Sequence, residues 1–464
     1  MSHPALDQLP PEILLAISDE LSGTDKACLS IANKKIRNQL APRLFRHIKV
    51  DCPLSRDSNL RSVIQKYGAH ASSVRLNIKF QPNPPNSDFE GSKVDANGGD
   101  KQHWYWDEYP PSVWAQDLAD VPLVQDLLRF KGMSKCTTLI IHTNGEEDFE
   151  IDGGWDENDL ADLSIYFCSD LETWEIVEDK EKKYGWRKAW NELWHDVAKY
   201  SKTESLELLH FLPIKASCWL EPEWAAFVGR LRNLTIRAYG QDNGAGWAAN
   251  TLEGFRDFFT DMDSFLFHHA TGLEHLCIAG HEDGFLGESV LSFEPYAMPH
   301  LKSLRLETMS VTQSLMEFLS GGTPKLESLH LFNVAAWGFD ASDFDPSLRD
   351  DPTWAEFWKA VREGNPTLEE VVYRYSKRPP LTYNEMMNDD FDPAETDNER
   401  QAQIRKMVSD DPNLIIWPYV TSDDKYGDVQ DWEETNLECL ARGDDNREYK
   451  LLMNEIENRK QSTA

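Results

Sequence analysis

A short pattern, a leucine followed by apolar residues three and five positions later, recurs through the second half of the chain. The best-phased copies are Leu231-x-x-Leu234-x-Ile236, Leu273-x-x-Leu276-x-Ile278, Leu301-x-x-Leu304-x-Leu306, Leu326-x-x-Leu329-x-Leu331 and Leu368-x-x-Val371-x-Tyr373. Their first residues are 42, 28, 25 and 42 positions apart. Alternating apolar residues predict strands buried on one face, and recurrence at such intervals predicts repeated units that stack on one another.

The surroundings of the triplets strengthen this interpretation. A proline stands two residues before three of them, at Pro299, Pro324 and Pro366, and helical patterns over 314–318 and 354–361 lie between copies. A strand, a loop and a helix in each unit predict an α/β solenoid whose strands line its concave face. Looser copies are Ala71-x-x-Val74-x-Leu76, Cys136-x-x-Leu139-x-Ile141, Leu171-x-x-Trp174-x-Ile176 and Thr203-x-x-Leu206-x-Leu208.

The first fifty residues have a different pattern. Prolines open an apolar helical face of Ile13, Leu14, Ile17 and Leu21, and Ser22-Gly23 ends that helix. Thr24 or Asp25 is the expected cap of a second helix through Leu29 and Ile31, and a third carries Ile36, Leu40, Leu44 and Phe45, with a break or kink at Pro42. Three short helices bury little by themselves, so an exposed apolar face predicts a docking surface.

Leu9-Pro10-Pro11-Glu12-Ile13-Leu14, Lys34-Lys35-Ile36-Arg37 and Leu40-Ala41-Pro42-Arg43-Leu44-Phe45-Arg46-His47-Ile48 stand at the spacing of one known module. This segment resembles the F-box of fungal proteins, and with the triplets the chain resembles F-box proteins with degenerate leucine-rich repeats. The resemblance implies binding to the Skp-family adaptor of Skp–cullin–F-box ubiquitin ligases and, through it, to a cullin. It places Leu9, Pro10, Ile13, Leu14 and Ile17 at the adaptor interface, with Leu21, Leu29 and Ile31 holding the helices together.

The resulting organisation is an F-box over 1–50, an irregular leucine-rich-repeat horseshoe over 51–384 with a long loop insertion at 81–115, and an acidic segment over 385–464. Within the acidic segment, residues 413–418 are predicted as a last strand and residues 435–460 as a helix interrupted near Gly443. The expected function is the substrate-recognition subunit of the ligase, which is not itself an enzyme. Ser18 and Lys26 stand where the family usually has apolar residues. An alternative is therefore a repeat scaffold or regulatory protein that recruits no ligase.

Side chains alternate along a strand, so the positions between the buried ones face outward. On the concave face these predict a client-binding stripe, although the same positions are equally compatible with ordinary solvated strand residues. The predicted stripe comprises Glu207, Arg237, Arg305, Glu307, His330 and Arg374.

The charge limits the kinds of partner. The chain has a net charge of −33, which opposes binding to a nucleic acid backbone and leaves a basic protein partner open. Residues 1–50 carry +2, whereas residues 385–464 hold 21 acids and 9 Lys or Arg. The first fifty residues therefore differ in charge from the rest of the chain. The acidic C-terminal segment is either a solvated surface or a region that attracts a basic client.

The seven cysteines are dispersed, with no CxxC pair, which indicates a reducing compartment. No signal peptide or membrane-spanning run is visible, so we expect the cytoplasm or nucleus and no membrane. No catalytic signature and no cofactor motif is found. The histidines at 268, 269, 275 and 281 lack metal-ligand spacing, so no metal is expected.

Aromatic residues form two further patterns. Trp186, Trp190 and Trp194 share one helical face, as do Trp354 and Trp358, and both stripes predict core packing. Trp104, Tyr105 and Trp106 lie within the 81–115 insertion, where they either dock on the body or contact a partner.

Overall fold

The computed structural model describes residues 9–80, 110–143, 168–242, 246–286, 291–337, 352–388, 390–423 and 425–463. These form a mixed α/β fold with one eleven-stranded, mostly parallel sheet and sixteen helices. The strands are β1 (His47–Cys52), β2 (Ser73–Ile78), β3 (Thr138–Thr143), β4 (Ser205–Phe211), β5 (Asn233–Ala238), β6 (His275–Ala279), β7 (Ser303–Val311), β8 (Ser328–Trp337), β9 (Glu370–Arg374), β10 (Tyr419–Ser422) and β11 (Val429–Asp431).

The helices vary from one turn to more than five. They are α1 (Pro11–Asp19), α2 (Gly23–Ala32), α3 (Lys34–Leu44), α4 (Leu60–Tyr67), α5 (Val121–Leu128), α6 (Trp174–Lys183), α7 (Gly185–Tyr200), α8 (Pro222–Gly229), α9 (Glu253–Phe265), α10 (Gln313–Leu319), α11 (Trp354–Gly364), α12 (Tyr383–Met387), α13 (Pro393–Thr396), α14 (Glu399–Asp410), α15 (Glu433–Arg442) and α16 (Asp444–Thr463).

The order of strands in the sheet follows the order of the chain. Strands β1 to β8 pair with their sequence neighbours, all in parallel. The first half of β8 pairs with β9 and its end pairs with β10, both in parallel, while β11 closes the sheet antiparallel to β10. Parallel neighbours require crossover connections, and the helices between the strands supply them.

The best-phased triplets all form strands of this sheet, as predicted. Leu234 aligns with Leu276, Leu276 with Leu304 and Leu304 with Leu329, so the second positions form one row across the sheet. The leucines that open the five triplets are fully buried just before their strands begin. The triplet pattern therefore recurs because each of these strands begins two residues after a fully buried leucine.

Two predicted strands are wrong. Residues 171–176 enter helix α6, because the Thr173 hydroxyl accepts a hydrogen bond from the backbone N–H of Ile176 and caps the helix. Residues 413–418 do not form the last strand, which begins at Tyr419. The side chain of Asn446 bonds both the N–H and the C=O of Ile415 at 3.0 and 2.8 Å, so that backbone is not available to a sheet.

The tryptophan stripes are core, as predicted. Trp186, Trp190 and Trp194 lie on α7 and are buried. Trp194 sits 5.3 Å from Trp190 and 5.8 Å from Trp219, measured between ring centres. Trp354 and Trp358 stack at 5.4 Å on α11. These large rings fill the space between the sheet and its helices.

The C-terminal residues join the same core. Gly443 ends α15 with φ of 71°, a left-handed conformation that glycine adopts without strain, so the predicted interruption of the last helix is confirmed. Helix α16 packs along α11, and Leu452 and Ile456 belong to the main apolar cluster. Although the C-terminal segment is acidic, it is part of the folded body.

Most of the predicted 81–115 insertion, including Trp104, Tyr105 and Trp106, lies outside the described residues. Its end is ordered against the body. Trp114 is fully buried, its indole N–H donates to Asp196 at 2.8 Å, and its carbonyl accepts from Leu54 N–H at 2.7 Å. The insertion therefore returns to the sheet through a buried tryptophan anchor.

Candidate binding surfaces

Helices α1 to α3 form a small head with a core of its own. Leu14, Ile36 and Leu40 are buried against one another, and no residue of this cluster belongs to the main core of the body. Ser22 and Asn33 cap α2 and α3 through their side chains, so the prediction of Thr24 or Asp25 as the cap of α2 is wrong. Capping and a three-residue core are modest sources of stability for thirty-six residues.

The head places large apolar side chains in solvent. Ile13 is 49% exposed and Ile17 is 40% exposed, one turn apart on α1, and Ile31 at the end of α2 is 72% exposed. Residues four apart lie on the same helical face, so Ile13 and Ile17 form a continuous strip. Aliphatic side chains in such a strip gain free energy when another apolar surface covers them.

The predicted adaptor-binding residues divide between surface and core. Pro10, Ile13 and Ile17 are exposed and Leu9 is half-buried, but Leu14 is fully buried. Leu14 therefore packs α1 on α3 and is not part of the surface strip.

Ile31, predicted to hold the helices together, is instead almost wholly exposed. One position along a helix turns a side chain by about 100°, enough to exchange a core residue for a surface residue.

The head joins the body through a narrow contact. The ring of Phe45 stacks on Tyr67 with centres 3.9 Å apart, and the carbonyl of Arg46 accepts the N–H of Ser72 at 2.8 Å. Strand β1 begins directly after this contact, inside the last residues of the predicted 1–50 unit. The strip of Ile13 and Ile17 therefore remains about half open to solvent.

One departure from the family pattern has a local explanation. Ser18 is fully buried, and its hydroxyl donates to the carbonyl of Leu15 at 2.8 Å. A buried hydroxyl with a partner costs little, so Ser18 is accommodated inside α1 and does not interrupt the exposed strip.

The second surface is the open face of the sheet. The register aligns Glu207, Thr235, Cys277, Arg305 and His330 in one row across β4 to β8. A second row, nearer the carboxyl ends of the strands, aligns Ala279 with Glu307, then Phe332 and Arg374. The predicted client-binding residues thus lie on one face, as strand alternation requires.

Three of these residues form one ion-paired group. Both Arg237 and Arg305 bond the carboxylate of Glu307, Arg237 at 3.1 Å. The guanidinium of Arg305 also lies 4.3 Å from the ring centre of Phe332. Because each guanidinium has five N–H donors, two arginines on one carboxylate retain donors for a ligand.

The remaining stripe residues lie apart from this group. His330 Nε2 lies 3.4 Å from the carboxylate of Glu370 but forms no hydrogen bond. Glu207 is half-buried and Arg374 is exposed, and neither forms an ion pair with another described residue. Burial, followed by the charge of Glu307, raises the pKa of the Cys277 thiol, which disfavours the reactive thiolate on this face.

The histidines at 268, 269, 275 and 281 do not converge on one site. His268 pairs with Glu294 at 2.9 Å, His281 lies 3.6 Å from Asp283, and His275 sits on β6. In the described ranges, no group of three or more His, Cys, Asp and Glu residues is placed to hold a metal ion.

A third candidate surface was missed by sequence reasoning. It is a cavity of about 500 Å³ between α12, α14 and α15, lined by residues such as Leu381, Tyr383, Trp432 and Glu433. The excess of acidic residues after position 385 was the only sequence signal near it. Its walls come from segments that are nearly sixty residues apart, between Leu381 and Glu438, so no local motif marks it.

The part of the chain that the structure describes holds no helix long and apolar enough to cross a bilayer.

Comparisons with known proteins do not identify a family for the chain. No protein-family model matches it, and no curated protein shows significant similarity to it. The exposed strip on the head and the open face of the sheet are therefore the observations on which a function has to rest.

Proposed function

We propose that the chain is the substrate-recognition subunit of a Skp–cullin–F-box ubiquitin ligase. Its head acts as the F-box and docks on a Skp-family adaptor, and the adaptor connects it to a cullin. The body acts as an irregular leucine-rich-repeat solenoid that holds a protein client. The observation that carries this proposal is the strip of Ile13 and Ile17, exposed on a head in which the described residues form a small core around Leu14, Ile36 and Leu40.

The energetics of the head support docking. Covering a large aliphatic side chain contributes roughly 1.5–3 kcal/mol when it passes from full exposure to burial. The side chains of Ile13 and Ile17 are each about half exposed, and that of Ile31 is more exposed still. A partner that covers these residues gains a helical surface and also adds to the stability of a marginal head.

The strand order supports the solenoid. Eight parallel strands follow one another in chain order, with helices in the connections, and each unit contacts the next. Such an array presents a wide open face on which residues from many units lie side by side. We assign the client to that face, with the group of Arg237, Arg305 and Glu307 at its centre.

This function requires no catalysis by the chain. Holding a client beside the transferring enzyme raises the effective concentration of the client's lysines at the reaction centre. The chain contributes by positioning, because the head binds the adaptor while the open face holds the client.

A co-purification experiment tests the docking assignment. The full chain would be recovered from cells as wild type and as Ile13→Ser/Ile17→Ser, and bound Skp-family adaptor and cullin would be measured. A matched control is Leu118→Ser/Leu220→Ser, because these two leucines are 60% and 57% exposed on the body. We expect the wild type and control to recover both partners, and the head variant to lose at least nine-tenths of the adaptor.

Equal recovery of the adaptor with all three proteins, or recovery with none, would show that the head is not an F-box. Recovery of the adaptor without a cullin from the wild type would support the alternative, a repeat scaffold that recruits no ligase. Both outcomes are read from the same experiment.

A further inference from the structure

The cavity of about 500 Å³ in the C-terminal part of the body has the size of a ligand-binding pocket. Helix α15 forms one wall with Glu433, Glu434, Thr435, Leu437 and Glu438. The opposite wall comes from residues 381–384 together with Thr396 and Gln401. The cavity is open to solvent on one side and lies on neither of the two surfaces assigned above.

The walls combine aromatic rings with carboxylates. Tyr383 is 60% exposed, and the half-buried Trp432 precedes α15. No lysine or arginine lines the cavity. Glu438 is paired with Arg400 at 2.7 Å, but Glu433 and Glu434 form no ion pair with any described residue. Two unpaired carboxylates beside aromatic faces form an environment that favours a cation.

A buried polar group provides an independent sign of a ligand. Thr435 lines the cavity and is only 4% exposed, and its hydroxyl has no hydrogen-bond partner among the described residues. Because this hydroxyl lines an open cavity and is not bonded to a neighbouring side chain or backbone group, it is available to a donor or acceptor that arrives with a ligand. Guanidinium and ammonium groups bring several donors.

From these observations we infer that this cavity binds an arginine or lysine side chain of a basic protein segment. The aromatic rings of Trp432 and Tyr383 receive the cation and its aliphatic stem, and Glu433 and Glu434 neutralise its charge. Thr435 accepts a hydrogen bond from the bound group. The cavity volume accommodates one or two such side chains, so the partner is a segment with closely spaced basic residues.

The charge of the whole protein makes a specific control necessary. At −33, the chain attracts any basic peptide to some degree, and that attraction weakens with salt. Glu175 and Glu223 are matched to the two cavity carboxylates, because both are exposed and both lie in the first turn of a helix, α6 and α8. The control variant Glu175→Gln/Glu223→Gln removes the same number of charges as Glu433→Gln/Glu434→Gln, also from the first turns of helices. Its two positions do not line the cavity.

Fluorescence anisotropy with the purified full chain tests the inference. The probe is a short labelled peptide of alternating arginine and glycine, compared with the same peptide carrying citrulline, which keeps the shape but has no charge. We expect the citrulline peptide to bind at least tenfold more weakly. The cavity double variant should weaken arginine-peptide binding at least fivefold, and the control double variant by less than twofold.

Two further variants exclude a loss of folding as the explanation. Tyr383→Ala removes an exposed ring, and Thr435→Val replaces the hydroxyl with a group of the same shape. Each should weaken arginine-peptide binding about threefold while the thermal unfolding midpoint stays within a few degrees of wild type. Equal weakening by both double variants, equal affinity for the citrulline peptide, or no binding of the arginine peptide would each overturn the inference.

The result is independent of the proposed ligase function. Adaptor recovery depends on Ile13 and Ile17, which the cavity variants leave unchanged. A chain that binds the arginine peptide but no adaptor would retain the cavity assignment and lose the docking assignment, and the reverse result would do the opposite.

Discussion

The head and the body use their apolar residues in opposite ways. The body buries most of its large apolar side chains, the majority of them in one cluster that extends from Ile48 in β1 to Ile456 in α16. The apolar cluster of the head holds three buried side chains, and Ile13, Ile17 and Ile31 lie partly in solvent. The body therefore has a large core of its own, whereas the head has a small core beside an exposed apolar strip. Burial of that strip on a partner is the physical basis of the docking function proposed above.

The largest expected effect lies in the body. Trp194 is fully buried between other aromatic rings, and its indole N–H has no hydrogen-bond partner among the described residues. Trp194→Ala should lower the free energy of unfolding by about 3–5 kcal/mol through the cavity it leaves. Trp194→Phe is the control and should cost clearly less, because it removes much less volume and neither substitution removes a hydrogen bond. Urea unfolding followed by circular dichroism measures both, and equal losses would mean that packing is not the cause.

A pH effect also belongs to the body alone. Burial raises the pKa of Asp445 from 3.8 to about 6, where its carboxylate accepts hydrogen bonds from the Tyr419 hydroxyl and from Ala355 N–H. Because the folded state binds this proton more tightly than the unfolded chain, the stabilising contribution is present below about pH 4. It is lost as the pH rises through 6, and its full size is about 3 kcal/mol.

Asp445→Asn keeps an acceptor and cannot ionise, so it isolates this titration from all others. The wild type should lose stability relative to the variant between pH 4 and pH 7, measured by urea unfolding at each pH. A difference that stays constant over this range would show that Asp445 does not titrate there.

A smaller and strictly local effect is expected in the head. Leu40 is fully buried on α3 and packs on Leu14 and Ile36. Leu40→Ala should lower the local opening free energy of the head by about 2 kcal/mol, at the low end for such a change because a small core can relax. Hydrogen exchange resolved by mass spectrometry should show faster exchange over 9–44 and no change in β4 to β8. Faster exchange in both regions would mean that the head is part of the body's cooperative unit.

The smallest effect on stability should come from the exposed strip. Ile13→Ser/Ile17→Ser changes residues that are already about half exposed, so the free energy of unfolding should fall by no more than roughly 1 kcal/mol per site. The same variant is expected to lose the adaptor, which separates a binding residue from a packing residue. A loss of several kcal/mol would instead place these isoleucines in the core of the head.

Sequence periodicity predicted the sheet well because burial there repeats locally. The triplets mark strands wherever the leucines enter the sheet, as at Leu231 and Leu301. The prediction failed at 171–176, where the side chain of Thr173 caps a helix despite the apolar spacing of a strand. It also failed at Ile415, whose backbone is hydrogen-bonded by the side chain of Asn446, thirty-one residues away. Both failures come from hydrogen bonds that periodicity does not contain.

The surfaces were predicted less completely. Alternation placed Arg237, Arg305 and Glu307 on one face, but their convergence depends on a register across three strands. The cavity beside Thr435 and the buried carboxylate of Asp445 gave no signal, because their neighbours are distant in the sequence. Features that join remote segments are outside the reach of local patterns.

The central claim is that the head completes its packing on another protein. Hydrogen exchange of the purified full chain, alone and with an excess of purified Skp-family adaptor, tests it most directly. The account predicts that amides of α1 and α2 exchange faster than those of β4 to β8 in the free chain, and that the adaptor slows the head at least tenfold while leaving the body unchanged. A head that exchanges as slowly as the body without adaptor, or that does not respond to it, would contradict the account.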